Sequence, residues 1–325
     1  MSEILRVENL ETHFFTSNGV LKAVDDVSFT LVEGEVLGIV GESGSGKSMT
    51  CRSILRLVPG SGKIVGGKII YKNEDILTWP QDRLVNYRGA QVSMILQEPM
   101  TALNPVVTVG KQIVETILQH ENISQDEAYT RAIDLMRMVG IPIPERRIKE
   151  YPHQFSGGMR QRVMIAISLA CRPKILLADE PTTALDVTIQ DQIIRLVRDL
   201  QSEMGMSVVW VTHDLGVVAQ LCDRVVVMYA GRIVEMADVI DLYENSRHPY
   251  TLGLLESIPA GGNRSQNRLI PIPGTPPNLA KLPPQCSFKP RCRFATDACN
   301  NPRIPLVKVG HNHYSACVRY EEIWK

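Results

Sequence analysis

A short apolar run, Val36-Leu37-Gly38-Ile39-Val40, leads straight into Gly41-Glu42-Ser43-Gly44-Ser45-Gly46-Lys47-Ser48, and no other stretch of the chain restricts its fold as strongly. The residue types and spacing are those of a Walker A phosphate-binding loop between a strand and a helix. Glycines let successive backbone N–H groups turn towards phosphate oxygens without a side-chain clash. Ile54, Leu55 and Val58 mark an amphipathic helix after the loop, whose positive N-terminal end faces the same anion. Lys47 is expected to reach the β and γ phosphates of a nucleotide, and the Ser48 hydroxyl to coordinate Mg²⁺. A loop of this kind needs a buried sheet behind it. Further apolar runs at 175–178, 208–211 and 225–228, with stretches of helical period between several of them, predict an α/β fold with a largely parallel sheet covered on both faces.

The run Ile175-Leu176-Leu177-Ala178 ends in Asp179-Glu180. A carboxylate at the C-terminal edge of a strand can hold a Mg²⁺ shell, which assigns Asp179 to the metal. Glu180 beside it is placed to polarise an attacking water as general base. Acidic pairs at strand ends are also common solvated features, so the pair gains its meaning from the loop at 41–48.

With 325 residues the chain has room for about two domains. Apolar residues make up 44% and charged residues 22%, which argues against extended disorder. Lys plus Arg and Asp plus Glu both number 35, so no excess positive charge draws the chain to nucleic acid. The first fifteen residues lack the basic stretch and apolar run of a secretory signal, and no apolar segment has membrane-spanning length. The expectation is a cytosolic location, where seven cysteines are not a disulfide framework.

One helix is legible in detail. Ser124 and Glu127 have capping-box spacing, Ala128, Ala132, Leu135, Met136 and Val139 form one apolar stripe, and Gly140 can end it. It belongs to a helix-rich stretch, about 99–170, that interrupts the strand pattern as an inserted subdomain would. After about residue 245 the texture changes to closely spaced prolines, among them Pro271, Pro273, Pro276 and Pro277. Cys286, Cys292, Cys299 and Cys317 lie in this tail at intervals of five, six and seventeen residues. Four thiolates in a poorly periodic tail can bind a metal that replaces a missing core. Structural zinc prefers closer pairs, with His311 or His313 available as a substitute ligand. A [4Fe-4S] cluster is larger and suits wider intervals. Spacing alone leaves the two open, with free buried thiols as a third reading.

Phosphate loops serve several families, and Phe155-Ser156-Gly157-Gly158-Met159 discriminates among them. It resembles the LSGGQ signature of ABC ATPases, with Phe155 and Met159 in place of the usual leucine and glutamine. Ser156 caps a helix whose first N–H groups Gly157 and Gly158 leave open to an anion. The other ABC elements follow in order. Gln97 resembles the Q-loop glutamine that touches Mg²⁺ or the attacking water. Ala184-Leu185-Asp186 resembles the D-loop at a dimer seam, His213 the switch histidine at the γ phosphate, and Phe14 the aromatic that stacks on adenine, with Phe15 its rival.

The resemblance implies an ABC-type ATPase. Residues 1–245 would form its nucleotide-binding domain, with a RecA-like core, an antiparallel β subdomain and the helical subdomain. Residues 246–325 would form a small, irregular metal-binding domain. Ser156, Gly157 and Gly158 would close over ATP held by a second ATPase subunit, a related but different chain. Arg247-His248-Pro249-Tyr250-Thr251, Pro271-Ile272-Pro273-Gly274 and the cysteine tail look like those of ATP-binding subunits of bacterial dipeptide and oligopeptide importers. That resemblance favours the [4Fe-4S] cluster over zinc. It also implies two transmembrane permease subunits, an external substrate-binding protein, and a peripheral position on the cytoplasmic face of the membrane. A nickel importer shares this tail, and a soluble ABC ATPase acting on nucleic acid or ribosomes is the reading of another class.

Overall fold

The computed structural model describes residues 2–17, 19–183, 185–258 and 271–323. Ala184 of the D-loop motif lies outside them. The chain divides into two compact units.

One unit comprises Glu3–Leu31, Val36–Leu77 and Thr212–Lys325. Its four-stranded sheet has the order Gly19–Val32, Glu3–Thr16, Gly62–Tyr71, Glu74–Asp75. Leu5 pairs with Tyr71 and Phe14 with Gly62, but the register shifts twice between Glu8 and Thr12. Those bulges break the inward alternation that would advertise a strand. Gly67 makes the irregularity possible: at φ 87° a Cβ there would sit 2.5 Å from the carbonyl oxygens of Glu8 and Asn9.

In the same unit Val36–Val40 is wholly buried and runs parallel to Arg224–Tyr229. Arg232–Asp238 pairs antiparallel with Arg224–Tyr229, His313–Ser315 pairs with Arg232–Asp238, and Val307–Gly310 adds a final strand. The tail therefore contributes two sheet strands where the sequence suggested only irregular chain. Tyr250 and Phe288 from the tail pack with Val40, Val225, Val227 and Tyr229 in one apolar cluster. Glu235, fully buried in this sheet, accepts a hydrogen bond from the backbone N–H of Arg247 and lies 2.8 Å from His313 Nε2, which ties the tail to the sheet.

The other unit comprises Val32–Glu35 and Thr78–Val211 with the extreme N-terminus. Val92–Ile95, Ile175–Asp179 and Ser207–Thr212 run parallel. Buried on every residue, the last two leave no polar face, which is why they read as unbroken apolar runs. Ser124 caps the helix Gln125–Met138 by accepting from the N–H of Glu127, and Gly140 follows at φ 75°. Arginines on neighbouring segments satisfy carbonyls at helix ends: Arg162 Nη1 donates to Val139 at 2.6 Å and Arg131 Nη2 to Ala170 at 2.6 Å. Among the described residues no helix is long and apolar enough to cross a membrane.

Candidate nucleotide site and the cysteine cluster

The loop 41–48 lies wholly in the first unit. Gly41 (φ 154°) and Gly46 (φ 107°) are required by contact as well as conformation. A Cβ would stand 2.2 Å from the Met228 carbonyl oxygen at the first and 2.4 Å from that of Ala23 at the second. The helix Lys47–Ile54 follows, and Gly46 at its N-cap supplies no side chain to occupy the first-turn donors. Leu55 is its C-cap and Arg56 turns left-handed at φ 51°, so Val58 stands beyond the helix that the apolar spacing had extended to it. Lys47 is only 4% exposed, and its Nζ donates to the carbonyls of Gly41 (2.8 Å) and Glu42 (3.0 Å). This arches the side chain back over the loop. The Ser45 hydroxyl is buried without a hydrogen-bond partner among the described residues, an orphaned donor in the middle of the loop.

Phe14 and His213 belong to the same unit. Phe14 is half-buried, with its ring edge over Gly62, whereas Phe15 is 48% exposed. His213 is exposed at the end of Ser207–Thr212, and the next residue, Asp214, caps the helix Leu215–Leu221 through the N–H of Gly216.

The acidic residues lie in the second unit. Asp179 is buried as the last residue of its strand. Glu180 takes the left-handed backbone (φ 45°) and its N–H donates to Val211. Its Oε2 accepts from Gln97 Nε2 at 3.2 Å and from the Thr183 hydroxyl at 3.0 Å. Two residues singled out separately by sequence, Gln97 and Glu180, are thus in contact. Thr183 was not foreseen, although its offset of three residues across the turn was the available signal.

Ser156 caps Gly157–Leu169 by accepting from the N–H of Met159. A Cβ at Gly158 would meet Ile189 Cγ2 at 2.8 Å, so any larger residue there would require Ile189 to shift. Asp186 caps Val187–Met204 through the N–H of Ile189, so its carboxylate is engaged in a helix start packed beside Gly157 and Gly158.

In the tail, Cys286, Cys292, Cys299 and Cys317 all line one cavity of about 20 Å³. The Cys286 N–H donates to the Cys299 carbonyl, which fixes the first of these segments against the third. Burial, with neighbouring thiols adding to it, pushes Cys317 up to about 12 and raises Cys286 and Cys292 above the usual thiol range. Among the described residues no three His, Cys, Asp or Glu side chains are gathered closely enough to hold a metal ion. The structure thus shows four thiols around a shared cavity and not a formed metal centre.

Comparison with known proteins agrees with both parts of the chain. A family model described as ABC transporter matches residues 24–183, and one described as Oligopeptide/dipeptide transporter, C-terminal region, matches residues 234–299. A probable peptide ABC transporter ATP-binding protein of Sinorhizobium fredii is 50% identical over 321 residues, spanning 98% of this chain and 96% of that protein. The oligopeptide transport ATP-binding protein AppD of Bacillus subtilis is 50% identical over 325 residues, spanning 99% and 98%. Among solved structures, a dimeric ATP-binding cassette in a post-hydrolysis state with ADP and Pi superposes with a TM-score of 0.65 at 29% identity. That match covers 73% of this chain and 99% of the other.

Proposed function

This chain belongs to the ATP-binding proteins of peptide-importing ABC transporters, an ATPase that energises peptide uptake, and on that premise we propose how its residues divide the work. The observation that carries the proposal is the loop itself, with Lys47 arched over it, a buried Ser45 hydroxyl unpartnered among the described residues, and glycines at 41 and 46 where any side chain would collide. Backbone donors of residues 41–48 and the Lys47 ammonium hold the ATP phosphates, and Phe14 takes the adenine. Ser48, Asp179 and Gln97 supply an oxygen donor set suited to Mg²⁺. Held by those residues, the metal would supply positive charge to offset that of the phosphates. Glu180 orients and deprotonates the attacking water, held in place by Gln97 and Thr183, while His213 contacts the γ phosphate.

Ser156, Gly157 and Gly158 complete the site of a second ATPase subunit, which we assign to a related but different chain. The dimeric state of the solved cassette supports a shared site. Residues 1–245 form the nucleotide-binding domain and 246–325 the tail domain. Through the helical subdomain at about 99–170 the chain pushes on two permease subunits, served by an external substrate-binding protein. It sits peripherally on the cytoplasmic face. Reconstituted with those partners, its ATPase should rise severalfold when the binding protein is loaded with peptide. Stimulation by nickel-loaded binding protein and none by peptide would transfer the chain to nickel import, and activity stimulated by nucleic acid or ribosomes would move it out of transport.

The four tail cysteines are the set we assign to a structural [4Fe-4S] cluster, with zinc as the second candidate. What supports the assignment is that all four thiols line one cavity, and thiolate is the form in which either metal would take them. Anaerobically purified protein should be brown and carry about four iron and four sulfide per chain. Colourless protein with one zinc would select the second candidate, and protein with neither metal would remove the tail from the metal-binding class.

A further inference from the structure

Glu42 is the second residue of the phosphate loop, and each of its polar groups is held. Its N–H donates to the Tyr250 hydroxyl at 2.8 Å, and its carbonyl accepts from Lys47 Nζ and the Ser45 N–H. Its carboxylate receives both arms of Arg291: Nη1 to Oε2 at 2.6 Å and Nη2 to Oε1 at 2.9 Å. Two of these partners come from the tail. Arg291 is itself built in. It is about 5% exposed, donates from Nε to the Pro273 carbonyl and from Nη1 to the Tyr229 hydroxyl, and lies over the rings of Tyr229 and Phe288. Tyr229, Tyr250 and Phe288 are mutually packed, with centroids 4.6 to 5.3 Å apart. All these residues belong to one compact unit.

A paired fork of this kind is among the strongest hydrogen-bonding arrangements a carboxylate can have, and its geometry is one that lysine cannot reproduce. Its location gives it a further meaning. A loop that binds a polyanion carries a carboxylate of its own, and an unpaired one would repel the incoming phosphates.

We propose that Arg291 is a positioning residue of the nucleotide site, which neutralises Glu42 and pins the first turn of the phosphate loop, so that ATP affinity depends on the tail. This rests on the reading that residues 41–48 hold the phosphates. The full-length chain is titrated calorimetrically with magnesium-free ATP. Arg291→Met should bind ATP about tenfold or more weakly than the parent, because Glu42 is left stranded beside the ligand. Arg291→Lys should recover part of the loss, having charge without the fork. Glu42→Gln combined with Arg291→Met should return to within about threefold of the parent, since no uncompensated carboxylate remains.

Lys47→Ala is measured alongside. If it binds ATP normally, the reading of the loop fails. If it loses affinity while Arg291→Met stays within twofold of the parent, the clamp alone fails. A double variant as weak as Arg291→Met would mean the contact is plain structural support and would overturn the charge argument. Should Arg291→Met not fold, Arg291→Lys and the double variant still decide between these outcomes.

Discussion

Glu180→Gln is expected to bind ATP within about twofold of the parent chain while its turnover falls by about 10²- to 10⁴-fold, the range a positioned general base contributes. Glutamine has the same length and can keep the hydrogen bond with Thr183, but it cannot take a proton from water. The backbone conformation at φ 45° is equally open to either residue, so the fold should be unaffected. Phosphate release measured beside calorimetric ATP binding separates the two quantities. Near-normal hydrolysis would remove Glu180 from the chemistry and leave its contact with Gln97 as ordinary support.

Lys47→Ala should fail at the earlier step. The buried ammonium is the one positive side chain within the loop, and its contacts with the carbonyls of Gly41 and Glu42 hold it across the loop. A charge-assisted hydrogen bond is worth about 1.5–3 kcal/mol, so ATP affinity should fall by about 10- to 100-fold, with turnover lost in consequence. Equilibrium binding of magnesium-free ATP reads this directly, and affinity equal to that of the parent would mean that the loop is not the phosphate cradle. The two variants are complementary, since one keeps the ligand and loses the reaction while the other loses the ligand.

What could be read from the sequence followed from how locally each element is encoded. Val36–Val40 and Ile175–Asp179 are buried on both faces, so they appear as continuous apolar runs. The helix Gln125–Met138 carries its own start and stop in Ser124 and Gly140. The strand Glu3–Thr16 was not legible, because register shifts at Glu8–Thr12 destroy the alternation that would mark it. The hairpin Val307–Gly310 and His313–Ser315 was missed for a different reason. Strands of four and three residues are too short for a pattern, and their stability comes from pairing with Arg232–Asp238. Thr183 beside Glu180 sits within reach of a turn whose geometry, not its composition, brings the hydroxyl to the carboxylate.

Arg291 illustrates the limit best. It stood among the cysteines as one more basic residue of the tail, and its partner Glu42 lies 249 positions earlier. No window along the chain joins them. For anyone exchanging parts between related importers the pair sets a practical rule. A chimaera that takes the catalytic core from one protein and the tail from another inherits half of an ion pair from each parent. Such hybrids should work only where the two halves still match, so the tail travels as a keyed component and not as an interchangeable module.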